Sequence, residues 1–207
     1  MNLPDNYCQH YQRHAATIAE RLRQFQQVPA ENYFLELCFC LLTPQSKAEN
    51  AEKAMARLIE LGFPNTGLDP TPILRDPANY IRFHNQKGGR LRAVATRQQE
   101  ITSMLASNQP TATKRQWLVE NVKGLGWKEA SHALRNIGHL DIAIIDRHIL
   151  KHLLRCGAIP QLPAAIGTRR AYLQLEQTFF QLADSFGLQP QELDLLLWSL
   201  EEGSVRK

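Results

Sequence analysis

Two glycines one residue apart, in Val122-Lys123-Gly124-Leu125-Gly126-Trp127-Lys128-Glu129-Ala130, constrain this chain more than any other stretch. Glycine reaches positive φ without a Cβ penalty and lets another backbone come close, so Gly124 and Gly126 read as a tight hairpin between two helices with N–H groups at the turn. Such groups at a helix start attract phosphate. On its own Gly-x-Gly is common in structural turns, and its weight here comes from the residues that follow it.

Lys128 stands in the first turn of the helix that the hairpin opens. There the macrodipole disfavours an ammonium and partial burial disfavours it further, so the position suits a neutral amine, which is a nucleophile. A plain surface lysine is the alternative. Asp146 comes eighteen positions later, directly behind the apolar run Ile142-Ala143-Ile144-Ile145 and before Arg147-His148. An acid in that place can hold a lysine or face a developing cation; a helix N-cap or a salt bridge to Arg147 are the plainer roles.

The rest of the chain reads as helices. Tyr7, Tyr11, Ile18, Leu22 and Phe25 share a face of a helix over Asn6–Gln27, and the apolar stretch Asn32–Leu42 reads as a central buried helix ended by Pro44. Ser46 and Glu49 have the spacing of a capping box for a helix that runs to Gly62. Five prolines and glycines between Pro64 and Pro77 make a loop with one short helical turn. A basic helix follows over Lys87–Ala106, weakened by Gly88 and Gly89 at roughly 1 kcal/mol each, which close approach of a helix or a nucleotide would justify. The hairpin motif spans about 113–137, with Thr113 as N-cap of its first helix, Trp117 and Leu118 turned inward, and a second helix over Trp127–Ile137 that Gly138 stops. Helices over Arg147–Arg155, Thr168–Phe186 and Pro190–Glu202 complete an all-α chain; no alternating strand pattern competes. A chain of 207 residues is one domain, or two helical lobes sharing a cleft.

Charge is unevenly placed. Arg82, Lys87, Arg90, Arg92 and Arg97 follow one another with no acid between them, while 171–205 carries acids and neither Lys nor Arg. That asymmetry points to a face meant for a polyanion, solvated helix surfaces being the bland reading. Cys8, Cys38, Cys40 and Cys156 lack the spacing of an iron–sulfur cluster or a zinc site, and Cys38 and Cys40 read as small core hydrophobes. His84, His132, His148 and His152 lack metal spacing and read as surface residues or as facing the polyanion. No run is long enough to span a membrane and no N-terminal signal pattern is present, so the expectation is a cytoplasmic protein of a prokaryotic cell, monomeric and without membrane contact.

The order of hairpin, Lys128, Ala130 and Asp146 resembles the helix-hairpin-helix DNA glycosylases. More narrowly, Gly126-Trp127-Lys128-Glu129-Ala130-Ser131-His132, Leu134-Arg135-Asn136-Ile137-Gly138 and Asp146-Arg147-His148-Ile149 are similar to the type-2 8-oxoguanine DNA glycosylases with AP lyase activity, a resemblance that runs along the whole chain. It implies two lobes clamping double-stranded DNA, an aspartate loop over 138–147, and a flipped 8-oxoguanine. Lys128 would be the Schiff-base nucleophile and Asp146 the group that stabilises the cationic sugar. Gly124, Gly126 and Lys123 would hold the DNA backbone, and Gln45 would fill the gap left by the extruded base. Phe83 and Trp198, which read as core on sequence alone, would sandwich the base, and the C-terminal Lys207 would tell 8-oxoguanine from guanine. No cofactor is implied beyond a structural monovalent cation at the hairpin. Two alternatives stay open: an endonuclease III-like enzyme for oxidised pyrimidines, disfavoured by the missing cluster cysteines, and a hairpin module that only binds DNA.

Overall fold

A computed structural model describes residues 4–205, which include no β-strand. Eleven α-helices occur among them: α1 Asp5–Gln26, α2 Tyr33–Leu42, α3 Ala48–Glu60, α4 Thr71–Arg75, α5 His84–Ala95, α6 Gln98–Ala106, α7 Thr111–Asn121, α8 Trp127–Asn136, α9 Arg147–Arg155, α10 Arg169–Phe186 and α11 Pro190–Glu202. None of them is long and apolar enough to cross a membrane. The chain divides into two compact units, one formed by Pro29–Leu134 and the other by the stretch through Val28 together with that from Arg135 onward.

The Pro29–Leu134 unit is built on α2. Phe34, Leu37, Cys38, Phe39, Cys40, Leu41 and Leu42 are all buried, as a helix apolar nearly all round requires, and α3, α5 and α6 pack around it. Its cysteines are free thiols, and burial pushes Cys38 well above the ordinary thiol range. Gly88 lies where α4 meets α5: a Cβ there would collide with the Thr71 side chain and come within 3.3 Å of its Cα. Close helix approach therefore accounts for Gly88. Gly89 has no such neighbour, only the Arg92 guanidinium 3.9 Å from where a Cβ would sit.

Three boundaries differ from the sequence expectation. The basic helix is two helices, broken where Arg97 turns to φ −116°, ψ 18° and extends its guanidinium to Asn121 O at 2.6 Å. The capping box does not form: α3 starts after Lys47 with no side-chain cap, because the Ser46 hydroxyl accepts instead from Arg82 N and Lys87 Nζ, both at 3.1 Å, while Glu49 pairs with Lys53. Helix α7 begins at Thr111 after Pro110, so Thr113 lies inside it; Leu118 is buried and Trp117 half-buried.

In the second unit α1, α9 and α10 pack on α11, which buries Leu193, Leu195, Leu196 and Leu197. Gly138 has φ +92°, and a Cβ would lie 3.0 Å from Gln26 Cα and 3.2 Å from Phe25 O, so only glycine suits this stop after α8. The segment 142–145 is buried yet belongs to no helix. Its backbone groups are satisfied by side chains: Ala143 N donates to Glu176 Oε1 at 2.8 Å, Ile145 N to Tyr172 Oη at 3.1 Å, Tyr172 Oη to Ala143 O at 2.8 Å, and Gln191 to Ile142 O. Asp146 follows directly on this anchored segment.

Candidate active site

The hairpin lies in the Pro29–Leu134 unit. Val122 leaves the helical region at φ −112°, ψ 101°, and Leu125 N closes the turn on Val122 O at 3.1 Å; both side chains are buried and fix the loop from inside. Gly124 has φ +101°, and a Cβ would meet Arg90 of α5 at 2.6 Å from its Cδ and Nε. Arg90 thus lies flat on the turn. Lys123 and Gly126 are exposed. The Gly126 amide donates to Glu129 Oε2 at 3.2 Å, and Gly126 O accepts Ala130 N at 2.9 Å. Glu129 therefore satisfies the Gly126 amide at the start of α8 and places its charge at the positive end of the helix.

Lys128 is the second residue of α8. Its side chain is 31% exposed and its Nζ lies 3.8 Å from Glu129 Oε1, too long for a hydrogen bond. It is near enough to Lys87 for its charge to bear on that residue: burial first, then Arg90 and Lys128, lower Lys87 to about 8.

Lys87 itself was expected on a basic surface. It is 1% exposed, and its ammonium donates to Leu42 O at 2.7 Å, Pro44 O at 2.6 Å and Ser46 Oγ. Around it stand two of the expected site residues. Gln45 and Phe83, at φ 56° and 61°, are the non-glycine residues with positive φ among those described, and both are exposed, Phe83 by 47%. Phe83 is therefore not core; its ring has the Arg82 guanidinium 4.8 Å from its centre.

The second unit carries Asp146 and Trp198. Asp146 is the N-cap of α9: its Oδ1 accepts His148 N at 2.8 Å and Ile149 N at 2.9 Å. Two amides thus fix the carboxylate's orientation, and the residue stays half-buried rather than sealed. His148 joins it to Trp198, which is half-buried, the two rings lying 5.1 Å apart. On its other side His148 Nδ1 meets Glu201 Oε2 at 3.2 Å.

Glu201 gathers three basic groups: His148, Arg155 at 3.1 Å and His152 at 3.3 Å. Burial tends to raise its carboxyl, but the His148 hydrogen bond and the charges of His152 and Arg155 outweigh this and hold it below its ordinary value. His152 is 1% exposed, not DNA-facing as its position implied; it shares a 2.6 Å hydrogen bond with Tyr7, and burial lowers it to about 4. Deeper still, Arg135 pairs with Asp194 at 3.1 Å. Burial pushes Asp194 up to about 7 against the pull of Arg135, and the charge of Asp146 adds to the rise.

Within their units, then, Gly124, Gly126, Lys123 and Lys128 come together on the hairpin, Gln45 and Phe83 come together around Lys87, and Asp146 and Trp198 come together through His148. Lys207 lies outside the described residues. Lys87, Arg90, His148 and Glu201 had no sequence signal that set them apart as organisers of these groups.

Residues 18–188 match the model of a family described as 8-oxoguanine DNA glycosylase. The chain is 36% identical over 207 residues to the 8-oxoguanine DNA glycosylase/AP lyase of Fusobacterium nucleatum, covering 95% of this chain and 94% of that protein. It is 34% identical over 190 residues to the protein of the same name from Methanocaldococcus jannaschii, covering 91% and 89%. Among solved structures, the M. jannaschii 8-oxoguanine glycosylase/lyase in complex with 15mer DNA containing 8-oxoguanine is similar with a TM-score of 0.83 and 32% identity over 93% of each chain. The 8-oxoguanine DNA glycosylase of Thermotoga maritima is similar with a TM-score of 0.86 and 28% identity, covering 98% of this chain and 97% of that one.

Proposed function

The chain belongs to the 8-oxoguanine DNA glycosylase family, and we propose that it excises 8-oxoguanine from double-stranded DNA and cuts the strand 3′ to the resulting abasic site. The observation that carries this reading is the match along nearly the whole chain to relatives whose names state both activities. The residue roles rest on local geometry. Lys128, at the start of a helix and partly exposed, attacks C1′ of the flipped nucleotide and displaces the oxidised base. The sugar ring opens to a Schiff base on the lysine, which acidifies C2′; loss of that proton expels the 3′ phosphate by β-elimination. Asp146, oriented through Oδ1 by two amides, stabilises the cationic sugar and takes the proton from the attacking amine.

The DNA backbone is held at the 122–126 turn, with Lys123 exposed beside it. Gln45, exposed at a positive-φ corner, fills the gap left by the base, and Phe83 and Trp198 receive the base on their faces. Lys207 reads the groups that separate 8-oxoguanine from guanine. A structural monovalent cation would take carbonyls of the 122–126 turn, where Val122 O already accepts one amide. The protein acts as a monomer, in the compartment that holds the DNA.

Borohydride trapping tests the reading on duplexes with one 8-oxoguanine, one thymine glycol or undamaged guanine. Wild type is expected to trap on 8-oxoguanine and Lys128→Gln is not. Trapping on thymine glycol alone would keep the chemistry and overturn the substrate; no trapping even at an abasic site would overturn the lyase.

A further inference from the structure

We infer that Lys87 and Ser46 form a positioning hub for base extrusion, setting the backbone at both Gln45 and Phe83. The inference rests on the roles proposed above for those two residues. An ammonium has three donors, and those of Lys87 go to Leu42 O, Pro44 O and Ser46 Oγ. Leu42 O is an orphan carbonyl at the end of α2, a place that suits a cation. Pro44 and Ser46 are the residues on either side of Gln45, so one side chain grips the turn before and after its left-handed residue.

The same hub reaches the second loop through Ser46: Arg82 N, one residue before Phe83, donates to the Ser46 Oγ that Lys87 Nζ also holds. The Lys87 amide gives Phe83 O the first backbone bond of α5, at 2.9 Å, so the loop runs directly into the residue whose side chain holds Ser46. A hydroxyl has two acceptor lone pairs, so Ser46 serves Lys87 and Arg82 together. Left-handed backbone is costly for a residue with a Cβ and persists only where its surroundings hold it. Among the described residues such strain occurs at Gln45 and Phe83, both exposed, and Lys87 with Ser46 bonds the residues next to each: Pro44 and Ser46 beside Gln45, and Arg82 beside Phe83. A buried lysine serving only as a helix cap would have no reason to involve the second loop.

Lys87 touches neither substrate nor reacting atoms in this reading, so its loss should spare the chemistry after the base has gone. Lys87→Met keeps a long unbranched side chain and removes the donors; Ser46→Ala leaves Lys87 on its two carbonyls and cuts the link to Arg82. Single-turnover excision of 8-oxoguanine from a duplex should fall by about tenfold to a hundredfold in Lys87→Met and by less in Ser46→Ala. Borohydride trapping at a preformed abasic site should stay close to wild type, and 2-aminopurine placed beside the lesion should report slower extrusion. Wild-type excision in Lys87→Met, or equal loss of excision and abasic-site trapping in a folded variant, would overturn the hub. If circular dichroism shows Lys87→Met unfolded, Ser46→Ala decides: slowed excision with intact trapping supports the hub, and unchanged excision overturns it. A failed functional reading looks different, since wild type itself would then leave 8-oxoguanine in place.

Discussion

Two buried cations, one in each unit, are held in different ways. In the Pro29–Leu134 unit, Lys87 is bound by the carbonyls of Leu42 and Pro44 and the hydroxyl of Ser46. In the other unit, buried Arg135 meets the carboxylate of Asp194, and Glu201 collects His148, the neutral His152 and the exposed Arg155. Neutral oxygens satisfy the three donors of Lys87 without cancelling its charge, so this ammonium adds to a positive potential that suits a polyanion. Carboxylates cancel it, and the second arrangement instead fixes rings and helix ends around Asp146. On the proposed function, the first arrangement serves attraction of a phosphate backbone and the second the orientation of a carboxylate and an aromatic face.

The largest effect should come from breaking the cancelled pair. Asp194→Ala removes the carboxylate that faces buried Arg135, and chemical denaturation should show a loss of about 3–5 kcal/mol. A loss under 1 kcal/mol would mean that the pair is as dispensable as a surface bridge.

The next test uses protons. His152 titrates at about 4 in the fold and near 6.5 when unfolded, so between those values the unfolded chain binds a proton that the fold does not. Stability contributed by the neutral imidazole is full above 6.5 and falls as pH drops towards 4, by about 3 kcal/mol in all. Asp194, raised in the fold from 3.8 to about 7, has the opposite slope over this whole range, but it is common to wild type and His152→Gln. Urea titrations of the two proteins should therefore diverge above pH 4, and parallel curves would remove His152 from the network.

The smallest effect belongs to the uncancelled charge. Lys123→Ala should weaken duplex binding at low salt and reduce the slope of log K against log salt by about 1, with little change in folding stability. An unchanged slope would take Lys123 off the phosphate backbone.

What was legible in sequence follows from how local each feature is. The hairpin needs two glycines and a helix start within a few residues, and Asp146 announces itself by following an apolar run, so both could be read directly. Its N-cap geometry was among the plain alternatives, and capping leaves the catalytic role compatible. Ser46 looked like a helix cap because Glu49 has the right spacing; its actual partners, Arg82 and Lys87, are 36 and 41 positions away. Lys87 looked like surface because charge says nothing about direction, and burial was decided by acceptors on α2 and the turn after it. His152 misled for the same reason, since Tyr7 comes to it across 145 positions. Phe83 erred the other way: an aromatic reads as core until its backbone turns left-handed and carries it out.

The segment that delivers Asp146 has no ladder or helix of its own; Tyr172, Glu176 and Gln191 are its scaffolding. The address of the carboxylate is therefore written in α10 and α11, 27 to 49 positions along the chain from the backbone groups they hold. To a geneticist, a lesion at Tyr172 or Glu176 would read as an active-site allele, although neither side chain takes part in breaking a bond.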